Sequence, residues 1–316
     1  MVLATHRTTL GGTDIQIAPL GVGTWAWGDR GFWGYGTNYG EQDLTEAFIA
    51  SIQMGITLFD TAAAYGKGIS EQLLGNLVRK TQAPAVIATK FAPAPWQRTV
   101  QPLQTALDAS LQRLGVETID LYQIHHPYTL VSIEALMNAL ADVVADGKVR
   151  AVGVSNYSAD QMQRAHAALS RRGVSLATNQ VSYSLLNRSP ETNGVLQACR
   201  ELGVLLIAYS PLASGWLTGK YTARKRPAGP RFFTSAMKDI NQIKQVTDLL
   251  QQIGHAHGGK TPAQVAMNWL ITQGNVLPIP GAKNMRQASE NAGALGWSLA
   301  ENDLARIDEA TRIYRR

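Results

Sequence analysis

Residues 85–125, AVIATKFAPAPWQRTVQPLQTALDASLQRLGVETIDLYQIH, decide the fold. The first run, Ala85–Phe91, is apolar almost throughout, as a strand covered on both faces must be. QPLQTALDASLQRLG then places Leu103, Leu107, Leu111 and Leu114 at spacings of three and four, the period of one helical face, and Gly115 supplies the stop. The second run, Asp120–His125, returns to strand character. Strand, helix and strand in this order predict two parallel strands joined by a covering helix.

The unit repeats outward in both directions. Leu20–Trp25 and Thr57–Thr61 precede it, and Ala151–Asn156, Ala177–Val181, Val204–Ser210 and Val276–Gly281 follow. SADQMQRAHAALSRRG opens on Ser158 as an N-cap and closes at Gly173, while ALADVVADGKV ends its helix at Gly147. Eight such runs predict a (β/α)8 TIM barrel, with a doubly wound sheet as the structural alternative. Two regions break the alternation. RTTLGGTDIQI, residues 7–17, reads as a β-hairpin turning at Gly11-Gly12. Residues 213–240 make a long basic loop rich in Gly and Pro, a length that usually signals function or mobility. No linker, low-complexity tract or solenoid repeat divides the 316 residues, so one domain over 1–316 is expected.

Composition narrows the classes. A net charge of +6, without a basic stripe carrying interleaved aromatics, favours small anionic ligands weakly and predicts no nucleic-acid partner. Neither a signal-like apolar region nor a span of about 18 apolar residues is visible, so no membrane association is expected. Cys199 is the only cysteine, which excludes an intrachain disulfide and fits a cytoplasmic location. It reads as a packing residue. His255 and His257, in GHAHGG, lack acidic or thiol partners nearby in sequence, and a helix points them apart, so no metal is expected.

In a barrel, function gathers where strands end at their C-terminal side. Those ends supply Asp60, then Tyr65 five positions on, Lys90, and His125. Each has an ordinary explanation: Asp60 as a turn cap, Lys90 as a solvated strand end, His125 as a core histidine. Their coincidence on three consecutive strands favours chemistry. The set suits proton delivery to a carbonyl oxygen. A phenol is a poor acid at neutral pH, and an ammonium beside it is expected to lower its pKa while a carboxylate holds that ammonium. An imidazole can hydrogen-bond the same oxygen. Nothing in the set supplies a hydride, so a cofactor must.

The motifs GTWAWG, FDTAAAYG, ATKF, DLYQIHHP, AVGVSNY, NQVSYS, AYSPLASGWLTGKY and PIPGAKNMRQASENAGALGW resemble, in order, the signatures of the aldo-keto reductase superfamily. The spelling of WAWGDRGFWGYG, ATKFAPAPW and IPGAKNMRQ resembles the plastid and cyanobacterial-type branch that includes pyridoxal reductase. The resemblance implies reduction of a small carbonyl substrate with NADP(H), bound without a GxGxxG fingerprint. It places the catalytic tetrad on Asp60, Tyr65, Lys90 and His125, with Tyr65 as proton donor. His126 does not match the tetrad and is expected to be structural.

For the cofactor the resemblance implies Gly23, Thr24 and Trp25 at the first strand. It implies Ser155, Asn156 and Gln180 at the nicotinamide carboxamide and Tyr209 stacked on its ring. Ser210, Pro211, Leu212, Ser214, Leu217 and Lys220 fall over the pyrophosphate, and Gly281, Lys283, Gln287 and Asn291 at the adenosine phosphate. Gln287 stands where many relatives carry an arginine, so Arg286 and Lys283 are the alternatives for a 2′-phosphate. Arg224, Lys225, Arg226 and Arg231 of the long loop offer further basic groups. Trp25, Trp33, Phe91, Trp96 and Tyr128 lie on or just after strands one, three and four, and predict an aromatic-walled mouth. Two rival functions remain open: a barrel aldolase using Lys90 as a Schiff base, and a non-catalytic NADPH-binding subunit that senses redox state.

Overall fold

The computed structural model describes residues 7–222 and 239–315. In chain order the elements are β1 (Thr8–Thr9), β2 (Gln16–Ile17), β3 (Val22–Gly23), α1 (Glu41–Gln53), β4 (Leu58–Asp60), α2 (Ile69–Thr81), β5 (Val86–Phe91) and α3 (Gln101–Leu114). There follow β6 (Ile119–Ile124), α4 (Ile133–Ala145), β7 (Val149–Ser155), α5 (Ala159–Ser170), β8 (Leu176–Ser182), α6 (Val195–Glu201) and β9 (Leu205–Tyr209). After the undescribed stretch come α7 (Ile240–Ala256), α8 (Pro262–Thr272), β10 (Val276–Ile279), α9 (Met285–Ala292) and α10 (Glu301–Thr311). Strands β3 to β10 pair in parallel, each with its sequence neighbour. The ring closes where the Gly21 and Gly23 amides donate to the carbonyls of Pro278 and Pro280, both at 3.0 Å. A Cβ on Gly23 would lie 3.0 Å from the Ile279 carbonyl oxygen, a tight contact, so this seam favours glycine. The eight-stranded barrel is as expected from sequence, and the doubly wound alternative is excluded.

The helices form for the reasons the pattern gave. In α3, Leu103, Leu107 and Leu114 are buried, and Gly115 closes the helix at φ 67°. Ser158 caps α5 by accepting from the Gln161 amide, while the Gln161 side chain returns to the Ser158 amide.

Two apolar layers hold the barrel. The outer one lies between strands and helices. The inner one joins Leu58, Ala88, Leu121, Ala151, Leu205, Ile207 and Leu277 to Leu10, Ile15 and Ile17 of the hairpin. The β1–β2 hairpin thus plugs the end where the strands begin. The opposite end is left for polar groups. Among the described residues no helix is long and apolar enough to cross a membrane. The basic residues Arg224, Lys225, Arg226 and Arg231 lie outside the described residues.

Candidate active site

Strand parity builds the site. Side chains alternate across a strand, so positions two apart share a face. Leu58, Ala88 and Leu121 face the interior, and so do Asp60, Lys90 and Gln123 one step closer to the mouth. The Lys90 ammonium is fully buried and donates to Asp60 Oδ1 at 2.5 Å, to the Thr61 carbonyl at 2.9 Å and to the Tyr65 hydroxyl at 3.4 Å. Those three contacts use all its donors. Asp60 Oδ2 accepts from Gln180 Nε2 at 2.8 Å and from Gln123 Nε2 at 3.1 Å. Thr178 Oγ1 donates to Gln123 Oε1 at 3.3 Å, in space left by Gly153, where a Cβ would meet Thr178 Oγ1 at 2.1 Å.

Electrostatics assign the protons. Burial lowers the Lys90 pKa, but Asp60 and Tyr65 outweigh it, so the ammonium stays charged. Burial raises the Tyr65 pKa; Lys90 pulls it down and Asp60 pushes it up, and the net direction is upward. The sequence-based expectation of a lowered phenol pKa is therefore corrected: desolvation of the phenolate exceeds the help from Lys90. Tyr65 holds its proton at neutral pH. Because the ammonium donates to the phenol oxygen, that proton is free to point elsewhere. Burial, the Lys90 charge and His126 together push the His125 pKa down to about 3, so its ring is neutral at pH 7.

His125 follows β6, and its ring centroid lies 5.8 Å from that of Tyr65 at 79°. Its Nδ1 is buried without a hydrogen-bond partner among the described residues. Asn156 adopts φ 62°, a left-handed conformation that Asn tolerates, at the end of β7. From there its Nδ2 donates to the His125 carbonyl at 3.1 Å, and its Oδ1 accepts from the Tyr209 hydroxyl at 3.1 Å. Ser155 donates to the Gln180 carbonyl at 2.8 Å. Asp60, Tyr65, Lys90, His125, Ser155, Asn156, Gln180 and Tyr209 are thus brought together at one mouth.

Other expected positions part company. Thr24 and Leu217 are fully buried, so neither side chain is presented to a ligand. After β9, Ser210, Ala213 and Ser214 all have positive φ, followed by Gly215 at 92°. Such a run of left-handed residues is costly and concentrates at ligand-holding turns. Pro211 is buried in this turn, Leu212 partly, and Lys220 is exposed with its ammonium 5.0 Å from the Tyr221 ring. On the β10–α9 corner, Asn284 caps α9, Gln287 Oε1 accepts from the Lys283 amide at 2.9 Å, and Asn291 donates to the Gly281 carbonyl at 3.3 Å. The Lys283 ammonium lies 4.9 Å from the Tyr39 ring and 5.6 Å from that of Trp33. Arg286 is largely exposed, 3.8 Å from Glu290.

The aromatic wall is only partly as expected. Trp25 stacks on Phe32 at 5.2 Å, meets Trp33 edge-on at 5.5 Å and stands 6.4 Å from Tyr65. Trp33 packs against Trp25 and Phe32 of its own loop, with the Lys283 ammonium 5.6 Å from its ring. Tyr128 is exposed and stacks on His126, which neighbours His125. Trp96 is exposed and, among the described residues, meets none of these rings, so it stands apart. Phe91 is misassigned: it lies next to the inward Lys90, so it points outward, into the layer packed against α3.

Sequence reasoning missed several residues. Gln123 has the parity of Leu121 and His125, a signal that was available. Glu71 is fully buried on α2, where it accepts from Thr89 at 2.6 Å and from Arg113 at 2.6 Å; nothing local in the sequence announces it. His257 does have an acidic partner, Asp303 of α10 at 2.8 Å, remote in sequence. Among the described residues no cluster of three metal-ligating side chains forms.

Comparison with known proteins agrees with this geometry. The model of the Aldo/keto reductase family matches residues 19–312. The chloroplastic pyridoxal reductase of Arabidopsis thaliana is 40% identical over 313 residues, covering 94% of this chain and 84% of the relative. The glycerol dehydrogenase of Gluconobacter oxydans superposes with a TM-score of 0.86 at 27% identity, covering 99% of this chain and 97% of that one. An aldo-keto reductase from Klebsiella pneumoniae, solved in complex with NADPH, gives 0.75 at 28% identity, covering 98% and 95%.

Proposed function

The chain belongs to the aldo/keto reductase family, and from that premise we propose that it reduces aldehydes or ketones to alcohols with NADPH, Tyr65 giving the proton. The observation that carries this reading is the Lys90 ammonium donating to the Tyr65 oxygen at the open end of a barrel. A substrate carbonyl oxygen entering beside Tyr65 and His125 meets a neutral phenol that holds its proton and a neutral imidazole that can donate a hydrogen bond. As the oxygen gains negative charge, the Tyr65 proton moves to it. The phenolate left behind is held by the Lys90 ammonium, whose own charge is anchored by Asp60. Free phenol is hard to ionise here because the site is buried, so the ammonium matters most when the proton has left.

The residues present fit a nicotinamide coenzyme. Asn156 and Ser155 at the mouth suit a carboxamide, Tyr209 a ring, and the left-handed turn at Ser210, Ala213 and Ser214 a pyrophosphate. Gly281, Lys283, Arg286 and Gln287 gather at the N-terminal end of α9, where free amides and positive charge suit a 2′-phosphate, and Asn291, near the other end of that helix, ties back to the Gly281 carbonyl. When bound, the coenzyme supplies the hydride that the protein lacks. Support for NADPH also comes from the Klebsiella structure, which holds that coenzyme.

Trp25 beside Tyr65, with Phe32 stacked on it, favours flat aromatic or small apolar carbonyl compounds. A heteroaromatic aldehyde such as pyridoxal fits that wall, in keeping with the name of the Arabidopsis relative. The aldolase reading fares badly, because a Schiff base needs a neutral amine and Lys90 is held charged by Asp60. The test is NADPH oxidation against pyridoxal, aromatic aldehydes, methylglyoxal and sugars. Aromatic or dicarbonyl aldehydes are expected to lead, and replacing Lys283 and Arg286 with Ala should cost NADPH about ten- to a hundredfold more affinity than NADH. Long phosphorylated sugars far ahead of the rest would contradict the pocket reading. Equal losses for both coenzymes would place the phosphate elsewhere.

A further inference from the structure

Tyr65 reaches the mouth on backbone that has to be held. Gly66, Lys67 and Gly68 follow it at φ of 56°, 57° and 91°, and Lys67 carries a side chain in that left-handed region. Ordinary geometry resumes at α2. In its first turn Ser70 is fully buried, and its hydroxyl makes no cap to its own helix.

That hydroxyl instead joins three segments. It accepts from Thr61 Oγ1 at 2.9 Å, lies 2.8 Å from Thr24 Oγ1, and is 3.0 Å from the Thr24 carbonyl. Thr24 Oγ1 reaches the Asp60 carbonyl oxygen at 3.1 Å. Thr24 and Thr61 are fully buried as well. Thr61 donates to Ser70, Ser70 passes its one proton to Thr24, at the carbonyl or the hydroxyl, and the Thr24 hydroxyl reaches the Asp60 carbonyl, so the three hydroxyls form one connected network. Hydrogen bonds joined in such a buried network strengthen one another.

The network is fastened to the backbone of Asp60 and Thr61. The Asp60 carboxylate and the Thr61 carbonyl are two of the three groups gripping the Lys90 ammonium, and the third is Tyr65. Ser70 sits five residues beyond Tyr65 and docks the far end of its turn onto the same junction. We propose that Ser70 is a positioning residue for proton delivery: it sets the 3.4 Å contact between Lys90 and Tyr65 by locking the β4 end against the Tyr65 turn. It touches no substrate or reacting atom. The proposal rests on the reductase reading above.

Ser70→Ala tests it, beside Ser51→Ala, another buried serine, whose hydroxyl donates to the Ala47 carbonyl of its own helix at 2.8 Å. In Ser70→Ala, kcat should fall about tenfold, the scale of a small misplacement of reacting groups. KM for the aldehyde and Kd for NADPH should stay within about twofold, since uniform binding is untouched. Ser51→Ala should lose Tm with kcat unchanged. Thr61→Val, which deletes the first donor, should repeat the Ser70→Ala loss, and Thr61→Ser should restore the rate; this pair decides the matter if Ser70→Ala does not fold. A Ser70→Ala enzyme with normal kcat, or a Thr61→Ser enzyme as slow as Thr61→Val, would overturn the proposal alone. A wild-type enzyme without turnover on any carbonyl would sink the reductase reading, and Ser70 with it.

Discussion

Leu58, Ala88 and Leu121 face the inside of the barrel and pack with Leu10, Ile15 and Ile17 of the hairpin. Two residues farther along the same strands, Asp60, Lys90 and Gln123 face the same interior and join one hydrogen-bonded network. The pleat is the same; only the layer differs. The lower layer is a sealed apolar floor, whose burial stabilises the fold at about 25 cal/mol per Å² of apolar surface. The upper layer takes an ammonium and a carboxylate out of water, which costs several kcal/mol per ion before pairing offsets it. The comparison teaches that one period-two pattern can divide labour by height: stability below, chemistry above.

Crossed substitutions are the sharpest way to break that division. Tyr65→Phe removes only a hydroxyl from the upper layer. Its kcat should fall by about 10²–10⁴, as for loss of a positioned general acid, with Tm and NADPH binding nearly unchanged. Leu121→Ala in the floor should cost about 2–5 kcal/mol of stability, with kcat per folded molecule preserved at low temperature. A Leu121→Ala enzyme that stayed stable but lost turnover would erase the distinction between layers.

A smaller effect sharpens the same contrast through pH. The His125 pKa is pushed down to about 3 in the fold, by burial first and then by the Lys90 charge. The unfolded chain takes up this proton near pH 6.5, while the folded one resists it. Stability from this group is therefore complete above about pH 6.5 and is lost as pH falls towards 3, by at most about 1.4 kcal/mol per unit. His125→Asn should flatten that part of the acid unfolding curve. Superimposable curves for the two proteins would show that His125 is not desolvated as the geometry requires.

Much of this was legible because periodicity is local. Continuous apolar runs gave the eight strands, and their last residues gave Asp60, Lys90 and His125. Where sequence reasoning failed, the missing information was of two kinds. Phe91 and Gln123 were misplaced or missed although parity decides both: once Lys90 faces in, Phe91 faces out, and Gln123 shares the face of Leu121. Other features were not readable at all. The direction of the Tyr65 pKa depends on how far burial outweighs the Lys90 charge, and the contacts of Thr24, Ser70, Glu71 and His257 join residues that are mostly distant in the chain.

The central claim is that the upper layer delivers a proton to a carbonyl whose carbon receives a hydride from the coenzyme. Turnover with NADPH carrying deuterium at C4, prepared separately on each face, tests it most directly. The product alcohol is expected to carry deuterium at the former carbonyl carbon when one face is labelled and not the other, since a fixed site presents one face. An alcohol that formed without deuterium from either labelled coenzyme would contradict the account.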